Sequence, residues 1–91
     1  MIQSFRHKGL AKLWNDGDPK GVRADLLSRV RRALTALDSA QDLRELDTPG
    51  WGLHRLHGKP VRYAVSVNGP WRLTFEWEDG EAIRVDLEQY H

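Results

Sequence analysis

Apolar side chains recur at helical spacing in the first half of the chain and predict two α-helices there. Leu10, Leu13 and Trp14 fall at i, i+3 and i+4, and Gly17 predicts the end of the first helix. A longer apolar stripe predicts a second helix over residues 23–37. Its members are Leu26, Leu27, Val30, Ala33, Leu34 and Leu37. Residues 2–5 alternate as in a short strand, and residues 38–46 predict a helical turn with Leu43 and Leu46 facing the core.

After residue 50 the apolar positions change to strict alternation, which predicts three half-buried β-strands. The inward-facing sets are Val61, Tyr63, Val65 and Val67; Trp71, Leu73, Phe75 and Trp77; and Ile83, Val85 and Leu87. Turn residues at 68–70 and 78–80 join these strands into antiparallel hairpins. Helices followed by hairpins predict an α+β fold, with the helices packed on one face of a small, mainly antiparallel sheet. A chain of 91 residues is expected to form a single domain over residues 1–91.

The register of the strands predicts which polar side chains are neighbours on the other face of the sheet. If residues 68–70 form a three-residue loop, Ser66 stands opposite Arg72 and Arg62 stands opposite Glu76. A three-residue loop at 78–80, with its glycine in the left-handed conformation, sets Arg72 opposite Asp86. We therefore expect Arg72 near the middle of a polar surface.

Two further groups are predicted to join Arg72 on that polar surface. Tyr90 lies an even number of residues from Asp86, so it falls on the same face of its strand. His54 follows Leu53, which is predicted to point inward, and so His54 is also placed on a polar face. His91 ends the chain beside Tyr90. The pattern thus gathers an arginine, a tyrosine and two histidines.

Positive charge is concentrated around these residues. Residues 48–75 contain no Asp or Glu, yet they carry Arg55, Lys59, Arg62 and Arg72 together with His54 and His57. The second predicted helix also presents Arg29, Arg31 and Arg32 away from its apolar stripe. Such a surface suits the phosphates of a nucleic acid. The alternative is a chance partition of charge over a solvated surface.

Composition disfavours several other classes of protein. The chain has no Cys, so disulfides and thiolate metal sites are unavailable and a cytoplasmic protein is expected. Its apolar runs fall far short of the roughly 20 residues that cross a bilayer, so no membrane partner is expected. A metal site built from His54, His57 and His91 is disfavoured, because residues three apart on a strand lie on opposite faces.

The same polar residues include the types that can cleave RNA without a metal ion or another cofactor. A base removes the proton of the 2′-hydroxyl, an acid protonates the leaving 5′-oxygen, and a cation stabilises the charged phosphorane. His54, Tyr90 and His91 can share the proton transfers, and the planar fork of Arg72 matches phosphate oxygens. The alternative is a non-catalytic module that binds RNA, a ribosome or a protein through the same surface. In that case Arg72 and Asp86 form only a cross-strand ion pair.

The chain resembles the HigB toxins of the RelE superfamily, also called plasmid-maintenance killer proteins. The resemblance rests on the opening M-I-Q-S-F-R-H-K-G-L, the central L-H-R-L-H-G-K, the hairpin N-G-P-W-R-L-T-F-E-W-E-D-G-E-A and the terminal Q-Y-H. These segments occur in the family's order, with similar spacing, over essentially the whole chain. The combination of N-x-x-W-R-[IL]-T-F with a terminal Y-H is the most specific feature.

This resemblance implies a RelE-like fold and a toxin that enters the A site of a translating ribosome and cuts the exposed mRNA codon. By motif, the family's catalytic residues fall on His54, Arg72, Tyr90 and His91. Its expected partners are the ribosome, mRNA and a HigA-like helix-turn-helix antitoxin, through which DNA is contacted only indirectly. We predict phosphate contacts from Arg55, His57, Lys59 and Arg62, and ribosome contacts from Arg29, Arg31 and Arg32.

Two positions depart from the family pattern. His57 stands where the family usually has a lysine, and a histidine is largely neutral at pH 7, so a phosphate contact there is expected to be weaker. Gln89 stands where the family commonly has an aspartate, so it offers only a neutral hydrogen bond to its neighbours. Both changes bear on rate and codon preference.

Overall fold

Both predicted helices and the predicted antiparallel sheet are present in the computed structural model, which describes residues 1–90. Helix α1 spans Lys8–Asp16 and helix α2 spans Leu27–Ser39, with short 3₁₀ turns at Ala24–Leu26 and Leu43–Leu46. The strands are β1 (His54–Arg55), β2 (Tyr63–Asn68), β3 (Trp71–Glu78) and β4 (Glu81–Gln89). They form one sheet in the order β1-β2-β3-β4, and every neighbouring pair is antiparallel. The α+β prediction is confirmed.

The helix ends follow local capping chemistry. Helix α1 begins after His7, whose ring Nδ1 accepts the N–H of Leu10 at 3.1 Å, and it ends at Gly17, where φ is 72°. The second helix was predicted from residue 23, but its regular turns begin at Leu27, because residues 24–26 wind as a 3₁₀ turn. Within residues 1–90, no helix is both long and apolar enough to cross a membrane.

One apolar core lies between the helices and one face of the sheet. Its helical side includes Leu10, Leu13, Val30, Leu34 and Leu37, and its strand side includes Val65, Leu73, Phe75, Val85 and Leu87. In the predicted helical turn, Leu46 is buried and Leu43 is half-buried against this core. The predicted opening strand is reduced to two isolated parallel bridges, from Ile2 to Ala82 and from Phe5 to Val85. Because the helices cover only one face, the opposite face is left for polar side chains.

The β2–β3 hairpin has the predicted pairing of Ser66 with Arg72, but its turn differs from the predicted one. Asn68 pairs with Trp71, so the turn contains only residues 69–70, and a bulge between Ser66 and Asn68 restores the register. A two-residue turn plus one bulged residue gives the same offset as the predicted three-residue loop. Arg62 lies beside Glu76, as predicted, with Nη1 2.9 Å from a carboxylate oxygen.

The β3–β4 hairpin differs from the prediction by two residues. Its turn is the pair Asp79 and Gly80, whose φ angles of 53° and 77° are those of a two-residue type I′ turn. A second shift follows between Thr74 and Glu76 on β3, opposite Arg84 with its φ of 49°. The predicted pairing of Arg72 with Asp86 is therefore wrong.

The partner of Arg72 is Glu88, and Asp86 pairs with Thr74 instead. The same shift sets Ile83 opposite Glu76 on the polar face, so the prediction that Ile83 faces inward is also wrong. Ala82 takes that place and belongs to the buried core. A bulge adds one residue and so exchanges the two faces of the strand beyond it.

Candidate active site on the polar face of the sheet

The polar face of the sheet carries two rows of paired residues that run across its strands. The first row is His54, Ala64, Thr74 and Asp86, and the second row is Ser66, Arg72 and Glu88. Tyr90 lies two residues beyond Glu88, on the same face of the chain that leaves β4. Its N–H donates to the Pro70 carbonyl at 2.7 Å. Residues two apart on a strand share a face, so His54, Arg72 and Tyr90 lie on the same surface.

Arg72 is held in place by backbone carbonyls. Its Nη1 donates to the carbonyl of Gly69 at 2.6 Å and to that of Trp71 at 3.0 Å, both at the β2–β3 turn. None of the ion pairs formed within residues 1–90 includes Arg72, although Glu88 stands opposite it in the register. The other N–H groups of its guanidinium are therefore able to contact a phosphate.

Tyr90 is half-buried and sits among charged groups. Burial raises the pKa of its phenol, and the Glu88 carboxylate raises it further, while Arg62 and Arg72 act in the opposite direction with smaller effect. A phenol is protonated at neutral pH even at its ordinary pKa, and the raised pKa makes Tyr90 a weaker acid than a free phenol. Tyr90 therefore holds a proton at neutral pH that it can donate.

A hydrogen-bonded network lies beside Tyr90 on the polar face. Buried Glu76 accepts from Arg62 at 2.9 Å and from both Nε and Nη2 of Arg84, at 2.8 Å and 2.7 Å. Arg62 also donates to the hydroxyl of Thr74 at 3.1 Å, and that hydroxyl donates to the carboxylate of Glu88. The Arg84 guanidinium lowers the pKa of Glu76 below its ordinary value, and Arg62 lowers it further. Burial of the carboxylate raises the pKa but does not outweigh the two arginines. This network fixes the carboxylate that faces Arg72.

The sequence alone did not identify Thr74 and Glu88 as members of this site. Thr74 is fully buried, and Glu88 is half-buried and accepts the hydrogen bond of the Thr74 hydroxyl. The predicted register set Arg72 opposite Asp86 and therefore left Glu88 out. The sequence could have identified both residues by their spacing, because alternation sets them on the same face of the sheet as Arg72. A shift of two residues in the register does not change that face.

The other candidate residues occupy different environments. His54 is exposed, with its Nδ1 3.2 Å from the carbonyl of Gly52. Arg55 pairs with Tyr63 and so lies on the opposite face from His54. His57 and Lys59 are exposed on the segment between β1 and β2. His91 lies outside the described residues.

Arg62 is the predicted phosphate contact with the most internal contacts. Its side chain is only 11% exposed, and its guanidinium is bound to Glu76, Thr74 and the Arg84 carbonyl. A contact from Arg62 to phosphate therefore stays a prediction that requires part of this network to open. Within the part of the chain that the structure describes, no three His, Asp or Glu side chains form a metal-ligating group.

The helical arginines also have intramolecular contacts. Arg29 donates to the carbonyl of Val67 at 3.2 Å, and the guanidinium of Arg32 lies 5.8 Å from the ring centre of Trp51. Arg31, between them, is exposed. The three predicted ribosome contacts thus lie on one helix; Arg29 contacts strand β2, and Arg32 contacts the turn that precedes β1.

Replacing Glu88 with glutamine is expected to lower the pKa of Tyr90, because a negative charge that disfavours the phenolate is removed. The chain has two tyrosines, so the titration is read in a Tyr63→Phe background by the ultraviolet absorbance of phenolate. Glu78→Gln serves as the control, since Glu78 pairs with Glu81 at the far end of β3. An unchanged pKa in the Glu88→Gln protein would show that Glu88 does not act on Tyr90.

Comparison with known proteins gives two matches along nearly the whole chain. The family model described as the RelE-like toxin of type II toxin-antitoxin system HigB matches residues 3–91. Endoribonuclease HigB of Proteus vulgaris is 38% identical over 92 residues, and the alignment covers 100% of both chains. The matched range includes all the residues of the polar face described above.

Proposed function

Since the chain belongs to the HigB-like family of RelE-like toxins, we propose that it is an endoribonuclease toxin that cuts translated mRNA in the ribosomal A site without a metal ion. The full-length similarity to an endoribonuclease supports the activity. The observation that carries the proposal is the strand register, which brings His54, Arg72 and Tyr90 onto one polar surface. These are the residue types that phosphodiester cleavage requires.

The proposed reaction is an attack of the 2′-oxygen on the adjacent phosphorus. A base takes the proton of the 2′-hydroxyl, the new P–O bond forms, and the bond from phosphorus to the 5′-oxygen breaks. Arg72 binds the non-bridging oxygens and stabilises the charge that develops on them. The products are a 2′,3′-cyclic phosphate and a free 5′-hydroxyl, because the leaving oxygen takes a proton from an acid.

The two ends of the site suit different proton transfers. Tyr90 keeps its proton at neutral pH, which supports its role as the acid that protonates the 5′-oxygen. The exposed imidazole of His54 suits the base. His91 shares these transfers in our proposal on the strength of its motif alone. His57 and Lys59 would contact flanking phosphates, whereas Arg55 lies on the opposite face of β1 from His54 and is given no phosphate contact in this proposal.

Membership of a type II toxin family implies a cognate antitoxin, with mRNA and the ribosome as targets. We assign the antitoxin role to a HigA-like helix-turn-helix protein, so that DNA is contacted only through the toxin–antitoxin complex. The exposed guanidinium of Arg31, with Arg29 and Arg32 beside it, supports a contact between α2 and ribosomal RNA. Such a protein acts in the cytoplasm, where ribosomes translate. Isolated RNA is expected to be cut poorly, because so small a chain needs the ribosome to hold the substrate in line.

Primer extension on mRNA from a translation reaction tests this function. We expect discrete cuts within translated codons, and we expect them to persist after the protein has been treated with EDTA and returned to the reaction. The matched control is the same message without its start codon, which should stay intact. Translation that stops with intact mRNA would indicate a non-catalytic ribosome-binding module instead.

A further inference from the structure

A cavity lies beside the proposed active site, at the edge of β2 that the short strand β1 leaves uncovered. Its volume is ≈ 350 Å³, and its lining includes Arg29, Arg32, Gly50, Trp51 and Ser66. β1 pairs with β2 only through residues 54 and 55, so the turn at residues 49–51 approaches the rest of that edge. The volume falls at the lower end of the range for small-ligand sites, which suits a single base with its sugar.

The chemistry of this cavity suits a nucleotide. Trp51 is half-buried and offers a rigid aromatic surface, while the Arg32 guanidinium lies 5.8 Å from its ring centre. Arg29 also lines the cavity, and its Nη1 donates to the Val67 carbonyl at 3.2 Å. No carboxylate lines the cavity. An aromatic ring and two arginines in the lining of one cavity provide a stacking surface and a phosphate contact in one place.

The cavity is also adjacent to Arg72. Ser66 lines the cavity and is the register partner of Arg72 on the neighbouring strand. Neighbouring strands are about 4.8 Å apart. The N–H of Ser66 donates to the Trp51 carbonyl at 2.7 Å, which ties the aromatic residue to the same strand position. The lining at Ser66 is therefore about one strand spacing from the backbone of Arg72.

We propose that this cavity is a nucleotide-binding subsite that holds a base adjoining the cut, with the base against Trp51 and its phosphate between Arg29 and Arg32. The proposal deepens the endoribonuclease function and rests on it for the identity of the ligand. Under this proposal Arg29 and Arg32, which line the cavity, bind the substrate, and only the exposed Arg31 keeps the role of ribosome contact. The subsite contributes to the choice of the codon that is cut.

The test is a titration of the full-length protein with adenosine 5′-monophosphate, followed by the NMR signal of the Trp51 indole N–H. The signal is assigned by its loss in Trp51→Leu. We expect saturable shifts of this signal with the nucleotide, and much weaker shifts with adenosine alone or with inorganic phosphate alone. Arg32→Gln should weaken binding at least about fivefold. Arg44→Gln, which removes one exposed arginine that does not line the cavity, should bind as the unchanged protein does.

The proposal fails if the Trp51 signal does not respond to the nucleotide, or if Arg32→Gln and Arg44→Gln weaken binding equally. It also fails if inorganic phosphate binds as tightly as the nucleotide, since the cavity would then recognise an anion only. The assay contains no ribosome and no cleavage step. Cuts in translated mRNA combined with failed nucleotide binding would reject the subsite and leave the endoribonuclease function in place.

Discussion

Replacing Arg72 with alanine is expected to lower the rate of mRNA cleavage by at least about 100-fold, the usual result of removing one group that stabilises a transition-state oxyanion. The guanidinium is fixed by the carbonyls of Gly69 and Trp71 and has no ion-pair partner within residues 1–90. The Arg72 guanidinium is therefore already oriented before the substrate binds. The measurement is single-turnover cleavage of translated mRNA at saturating protein.

The Arg72→Ala experiment has an internal comparison and a remote control. Arg72→Lys should recover only part of the rate, because an ammonium group keeps the charge but cannot contact two phosphate oxygens through a planar fork. Arg44→Ala should cleave at the rate of the unchanged protein, since Arg44 is 90% exposed and paired with Asp42 on the 3₁₀ turn at Leu43–Leu46. Full activity in Arg72→Ala would remove Arg72 from the site.

Replacing Glu76 with glutamine is expected to lower the free energy of unfolding by about 2–3 kcal/mol, because Arg62 and Arg84 lose a charged acceptor beneath the site. The ion pair of Arg62 and Glu76 is shielded from water, since only 11% of the Arg62 side chain and 7% of the Glu76 side chain are exposed. Arg84 is 52% exposed and can turn toward water, which limits the loss. The corresponding fall in the melting temperature is roughly 10–20 °C for a domain of this size.

The effect of Glu76→Gln should depend on pH in a defined direction. The pKa of Glu76 is lowered in the folded state, chiefly by Arg84, so the unfolded state binds the proton more readily. The stabilisation is therefore fully present above the ordinary pKa of glutamate and is lost as the pH falls through the lowered value. Urea unfolding at neutral and acidic pH should show the difference between the two proteins shrinking in acid.

Glu78→Gln is the matched control for this experiment. Glu78 is exposed on the same strand, and its replacement should change the free energy of unfolding by less than about 0.5 kcal/mol. If Glu76→Gln proved as mild as Glu78→Gln at neutral pH, the network of Glu76, Arg62 and Arg84 would not stabilise the sheet.

The contrast between Glu88 and Asp86 shows how far the sequence determines this site. Alternation of apolar residues correctly set Arg72 and Tyr90 on one surface, but it set Ile83 on the wrong face, because the bulge at Arg84 exchanges the faces of β4. It does not fix which residues stand opposite each other, because a shift of two residues leaves every face unchanged. The two-residue turn at Asp79 and Gly80 and the bulge at Arg84 produced such a shift. Glu88 therefore stands opposite Arg72 in the register. The Oδ2 of Asp86 lies 4.0 Å from Nη1 of Arg6 instead.

By itself, the sequence determined the helices, the strands and the polar face that holds His54, Arg72 and Tyr90, because these depend on short-range periodicity and on turn residues. The tertiary structure alone decided that Arg84 joins Arg62 on Glu76, that burial raises the pKa of Tyr90, and that Trp51 and Arg32 line one cavity. Each of these results depends on the distance between groups far apart in the chain. Such distances are set by packing and by bulges, whose consequences extend beyond the residues that form them.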